Sequence, residues 1–200
     1  MTSERSTQIT PERLERITRV LSCRQKDLTL VLANIHDPHN VSAIYRSCDA
    51  FGVAEVHLYY TNTQFPTLGK KTSASARKWV DTKRHSNRDA MLAELRASGH
   101  QVLATSCSPK AHPVSHYDLT KPTAIIMGNE HSGVDQELVD IVDGEVYIPM
   151  YGMIQSFNVS VAAAVLLSEA SRQRVLAGMY DQPTYDEEEY AEKLATWIEK

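Results

Sequence analysis

Cysteine is scarce, and Cys23, Cys48 and Cys107 are odd in number and widely spaced along the 200 residues. That pattern suggests neither a disulfide framework nor a zinc site. No apolar run is long enough to span a bilayer, and Met1–Ser6 lacks the apolar segment of a secretory signal. The chain therefore reads as cytosolic, with no membrane partner. A Gly-x-Gly-x-x-Gly fingerprint with a matching acid is absent, which argues against a dinucleotide-binding enzyme. The eight His residues show no ligand spacing with carboxylates or Cys, so no metal is implied. No internal repeat is visible.

What is present is an ordinary globular composition, with 42% hydrophobic and 23% charged residues. The length suits one domain with a small appendage at either end. The net charge is −4, but it is unevenly spread. Residues 1–88 hold 14 Lys and Arg against 8 Asp and Glu, while residues 89–200 hold 7 against 17. Binding to nucleic acid depends on a local basic face and not on the total. The chain divides into a basic helical segment over 1–26, a central domain over 27–180 and an acidic, helical tail over 181–200.

Thr10-Pro11-Glu12 signals a helix start, and Leu14, Ile17, Val20 and Leu21 give that helix an apolar stripe. Strands are predicted at 28–33, 56–60, 101–105, 124–127 and 145–148. Helices are predicted at 41–51, at 87–97 with Ser86 as cap, at 136–142 and at 158–176. Residues 61–85 read as polar and irregular. Strands alternating with helices predict an α/β fold, a mainly parallel sheet covered on both faces. Strand order is not readable from this pattern.

Three segments at predicted strand ends carry chemistry. Asn40 stands six residues before Arg46 across a helix start, which by itself reads first as a cap with a surface Arg and second as a pair that reaches an anion or a carboxylate. Met127-Gly-Asn-Glu130 runs from a strand into a Gly-bounded turn, where Gly128 allows close backbone approach. Ile148-Pro-Met150 leads through Gly152 to Ser156, Phe157 and Asn158, where a long helix begins. Ser156 and Asn158 both suit that boundary, because each side chain can accept from unpaired N–H groups.

In this order, the three segments resemble the motifs of the SpoU/TrmH branch of the SPOUT RNA methyltransferases. The similarity runs from about Leu28 to Tyr180, and Asp37-Pro-His-Asn40 and Arg172-Gln-Arg174 with Gly178-Met-Tyr180 point to the subgroup acting on tRNA. The resemblance implies a C-terminal deep trefoil knot, a homodimer, and S-adenosylmethionine bound near Thr105, Gly128, Ile148, Met150 and Phe157. It implies methylation of the ribose 2′-hydroxyl of a tRNA D-loop guanosine. Ribosomal RNA or another tRNA position keeps the same chemistry, and a non-catalytic RNA-binding dimer keeps only the fold. Arg46, Asn40, Glu130, Ser156 and Asn158 would form the catalytic set. Arg46 either helps take the hydroxyl proton through a substrate phosphate or only orients that phosphate. Contacts to RNA rather than DNA would come from Arg13, Arg16, Arg19, Arg24, Lys70, Lys71, Arg77 and Lys78. Residues around Thr72–Ala76 occupy the place of the family's substrate-side loop. His131 stands where many relatives carry Gly or Lys, and the tail is acidic where some relatives have basic helices.

Overall fold

A computed structural model describes residues 9–62, 64–66 and 76–200. Lys70, Lys71 and residues 72–75 of the anticipated substrate-side loop lie outside the described residues. In chain order the elements are α1 (Pro11–Ser22), β1 (Gln25–Ala33), α2 (Pro38–Ala50), β2 (Val53–Tyr59), β3 (Asp81–His85) and α3 (Arg88–Ala97). Then come β4 (Gln101–Thr105), β5 (His112–Pro113), β6 (Thr123–Met127), α4 (Gln136–Val139), β7 (Gly144–Tyr147), α5 (Val159–Leu176) and α6 (Glu187–Ile198). The seven strands form one parallel sheet in the order β3-β2-β1-β6-β4-β7-β5.

Alternation along β1 explains why its second half, Leu28–Ala33, is apolar but for Thr29. Leu28, Leu30 and Leu32 face a core shared with Val41, Ile44 and Tyr45 of α2 and Ala163, Leu166 and Leu167 of α5. Val31 and Ala33 face the opposite core, with Met91, Leu92 and Leu95 of α3 and Leu138 of α4. A parallel strand covered on both faces has no polar side to show. A third cluster, Ile17, Leu21 and Trp197, joins α1 to α6.

Several boundaries differ from the sequence reading. Residues 81–85 of the segment read as irregular form the edge strand β3, whose Asp-Thr-Lys-Arg-His sequence has no apolar alternation to betray it. The two-residue β5 carries no strand signal either. Helix α2 starts earlier than predicted, because Pro38 takes the first turn and the Asp37 carboxylate accepts from the His39 N–H at 2.8 Å. Asn40 is therefore inside the helix and does not cap it. Asn87, not Ser86, caps α3, accepting from Ala90 N–H at 2.8 Å. Helix α4 stops at Val139, short of Val142.

Arg174, in the last turn of α5, has no solvent exposure. Its guanidinium pairs with Asp27 Oδ1 at 2.5 Å and donates to Gln25 Oε1 at 3.0 Å, Leu119 O at 2.9 Å and Lys121 O at 3.1 Å. One side chain thus ties α5 to the start of β1 and to the segment entering β6. The chain then turns at Gly178, at φ 71°, with Met179 N–H donating to Arg174 O at 2.9 Å. This left-handed turn favours glycine. Two residues on, the Tyr180 hydroxyl donates to Phe51 O at 2.8 Å. Replacing Arg174 with Met should leave Asp27 facing unpaired polar groups and lower unfolding free energy by about 3 kcal/mol or more. Urea denaturation of the two proteins, compared at equal slope, measures this.

Candidate active site

Strands β1 and β6 are neighbours, so the loops leaving their carboxyl ends meet above the sheet. The β1 exit turns at Asn34, whose φ of 51° is left-handed and whose Oδ1 accepts from Thr61 N–H at 3.0 Å. Asp37 and Pro38 then start α2, which places Asn40 in the first turn. The β6 exit folds back on itself: Asn129 and Gly133 exchange backbone hydrogen bonds of 3.1 Å each. Asn129 Oδ1 also accepts from His131 and Ser132 N–H at 2.9 and 2.8 Å. A Cβ on Gly128 would stand 2.0 Å from the Gly133 carbonyl carbon and 2.2 Å from Val134 N. The turn itself therefore requires glycine at 128.

Glu130 sits in this turn and points back to β1. Its Oε1 accepts from Asn40 Nδ2 at 2.7 Å and its Oε2 from His36 N–H at 3.3 Å. Asn158 continues the chain, donating from Nδ2 to Asn40 Oδ1 at 3.1 Å. The same Asn158 caps α5, its Oδ1 accepting from Ser160 N–H at 2.9 Å and from the Ser160 hydroxyl at 2.6 Å. Three segments distant in sequence are thereby joined by Glu130, Asn40 and Asn158, with both amides fully oriented. Partial burial alone would raise the Glu130 pKa. Hydrogen bonds from the Asn40 amide and from main-chain N–H groups of Glu130, His36 and Asp37 outweigh it and hold the carboxyl below its usual range.

Arg46 and Ser156 are both exposed, and among the described residues neither makes a hydrogen bond or ion pair with this chain of three. Arg46 lies about 9 Å along α2 from Asn40 and about 120° round it. Ser156 precedes the cap and leaves that role to Asn158. The main-chain N–H of His36 is the partner that sequence reasoning missed, since no residue type signals a backbone donor.

The residues assigned to the cofactor cluster by strand. Thr105, Gly128 and Ile148 stand at the carboxyl ends of β4, β6 and β7, and β4 lies between the other two. Thr105 donates its hydroxyl to Ile126 O at 3.0 Å. Ile148 and Met150 are half-buried, and Phe157 is exposed at the end of the loop. Adjacent strand ends that carry apolar side chains fit a nucleoside held largely by backbone groups.

The anticipated RNA contacts separate. Arg13, Arg16 and Arg19 are exposed along α1, and Arg77 and Lys78 are exposed in a single 3-10 turn before β3. Arg24 does not belong with them. It has no solvent exposure, pairs with Asp49, donates to Val53 O at 3.0 Å and lies over the Trp197 ring at 5.2 Å. A guanidinium so enclosed is a structural clamp and cannot also meet a phosphate.

Residues 27–168 match the SpoU rRNA methylase family. The chain belongs to that family. It is 46% identical over 191 residues to a tRNA (guanosine(18)-2′-O)-methyltransferase of Thermus thermophilus, covering 96% of this chain and 98% of that relative. The crystal structure of the Aquifex aeolicus TrmH/SpoU tRNA modifying enzyme superposes with a TM-score of 0.87 at 40% identity, covering 94% of this chain and 95% of that one. An AdoMet-bound rRNA methyltransferase from Sinorhizobium meliloti is 26% identical with a TM-score of 0.66, over 78% of this chain and 59% of its own. No helix among the described residues is long and apolar enough to cross a membrane.

Asn158→Asp separates the two duties of that residue. A carboxylate still caps the helix, so stability should change by less than about 1 kcal/mol. It cannot donate to Asn40 Oδ1, and methyl transfer should fall at least about tenfold, the cost of leaving a polar partner unpaired. Thermal unfolding and turnover, measured on the same preparation, show the split.

Proposed function

We propose that this family member transfers a methyl group from S-adenosylmethionine to the ribose 2′-hydroxyl of guanosine 18 in the tRNA D-loop. The observation that carries the reading is the Glu130–Asn40–Asn158 chain, which orients two amides at the strand ends where nucleosides bind in such sheets. Similarity along nearly the whole length of a relative named for that reaction supports the choice of RNA. A protein acting on ribosomal RNA is the second reading, favoured by the family's own description.

When bound, the cofactor supplies a sulfonium methyl that reacts once the acceptor oxygen is aligned with it. Thr105, Gly128, Ile148, Met150 and Phe157 would hold it, and alignment would provide much of the rate. Asn40, Asn158 and Ser156 position the ribose. Glu130, kept ionised below its usual range, is a poor proton acceptor and acts by fixing Asn40. Arg46 orients the substrate phosphate and stabilises charge, because a guanidinium is a poor base, and the proton that the hydroxyl loses as its oxygen takes the methyl passes to that phosphate or to solvent. Its exposure leaves it available for that role.

The working unit is a homodimer in the cytoplasm. Tyr151 and Met153 are 98% and 99% exposed, and Ile154, Phe157 and Val161 extend this apolar surface, which a second copy would cover. The family's knot would involve the segment from β6 to α5, which carries two of the three motifs. Residues 1–26 serve as the RNA-facing part, 27–180 as the catalytic domain, and 181–200 as a tail that braces the first part.

The test is methyl transfer from radiolabelled S-adenosylmethionine to unmodified tRNA transcripts, beside a 23S ribosomal RNA transcript. Label that disappears when guanosine 18 is replaced supports this reading, whereas label confined to ribosomal RNA overturns the substrate. Arg46→Ala should abolish label under either substrate. Changing Arg13, Arg16 and Arg19 together to Ala should weaken tRNA binding across sequences. It should also shrink the slope of log K against log salt by up to about 0.9 for each phosphate no longer neutralised. Filter binding at several salt concentrations reads both effects.

A further inference from the structure

Two imidazoles flank the proposed catalytic chain without serving it. The His36 and His131 rings are both exposed, lie 6.2 Å apart between centroids and are tilted by 38°. Among the described residues, no ring nitrogen of either makes a hydrogen bond. Their backbones are nonetheless firmly placed. His36 donates its N–H to Glu130, His131 follows Glu130 directly, and His131 donates its own N–H to Asn129 at 2.9 Å. The carboxylate that orients Asn40 thus also ties together the two backbone segments that carry the rings.

A ring pair of this kind matches the dimensions of a nucleobase. Bases stack at about 3.4 Å, so a base between two rings needs them roughly 7 Å apart and nearly parallel, close to the 6.2 Å spacing here once the exposed rings turn out of their 38° tilt. Proteins that read single-stranded RNA hold splayed-out bases on such faces, His included. We propose that His36 and His131 clamp the base of the nucleotide whose ribose enters the Asn40–Glu130 site. The inference rests on the functional reading above. It gives the two histidines a substrate-holding role, in which they extract the nucleotide from its own stack and present its hydroxyl.

The test uses tRNA transcripts with 2-aminopurine in place of guanosine 18, whose emission reports stacking, together with kcat/KM on unmodified tRNA. Binding of the wild type should change the emission. The His36→Ala, His131→Ala double variant should lose that change and fall in kcat/KM between about fivefold and a hundredfold, the range expected for one stacked base. Phe at both positions should restore the emission change and most of the activity, since stacking requires a ring and no charge. Double-Ala variants that match the wild type in both readouts overturn the clamp. Rescue by His131→Lys with no rescue by Phe also overturns it, in favour of a phosphate contact. A wild type that labels no tRNA defeats the functional reading as well, whereas a wild type that labels tRNA confines any failure to the clamp.

Discussion

The rest of the molecule depends on a fully buried cation. Arg174 sits at the far end of α5 from the site and pairs with Asp27 while serving carbonyls on the segment that leads into β6. Leaving a charge in such a place unpaired costs several kcal/mol, so the elements it touches cannot move independently. Helix α5 is held there, and its other end begins at Asn158. Arg24 performs the corresponding task beneath α1, pairing with Asp49 of α2 and packing on Trp197 of α6. Arg24 occupies a position where the sequence alone suggests RNA.

The site follows from this fixation. A hydrogen-bonded line of three side chains is useful only if its ends keep their separation. The Asn129–Gly133 turn fixes Glu130 from below, while the Asp37 cap and Pro38 fix Asn40. Each amide in the line both accepts and donates, so no rotamer or flip satisfies it except the one present. The Glu130 carboxyl is held below its usual range, because hydrogen bonding exceeds the cost of its partial burial.

Much of this was legible before the structure, for physical reasons. An apolar stretch as short as Leu28–Ala33 suits a buried strand better than a helix, and a Thr-Pro-Glu start or an Asn before a helix leaves few alternatives. The motifs were readable because they are short and lie at strand ends. Strand β3 was not, since an edge strand needs no apolar alternation when one side faces water. Asn40 was misplaced because capping ability was credited to the wrong residue of Asp37-Pro-His-Asn. Arg24 lies in the same basic N-terminal segment as Arg13, Arg16 and Arg19, and nothing local in the sequence sets it apart from them. Only the fold brings Asp49 beneath it. Strand order, and with it the adjacency of β1 and β6, depends on crossovers that local sequence does not encode.

The acidic tail has a consequence for how a polyanion approaches. Asp186 and Glu189 cap α6 reciprocally, and Glu189 and Asp81 neutralise Lys26 and Lys193. Glu187, Glu188 and Glu192 remain exposed on a helix packed against α1, whose Arg13, Arg16 and Arg19 are exposed in turn. The two helices are about one helix diameter apart, roughly 10 Å, which is close to the screening length in cellular salt. Attraction and repulsion are therefore felt as separate neighbouring fields. Under the proposed function, an RNA drawn toward the α1 arginines would be repelled by the carboxylates of α6, and so would be turned as well as attracted.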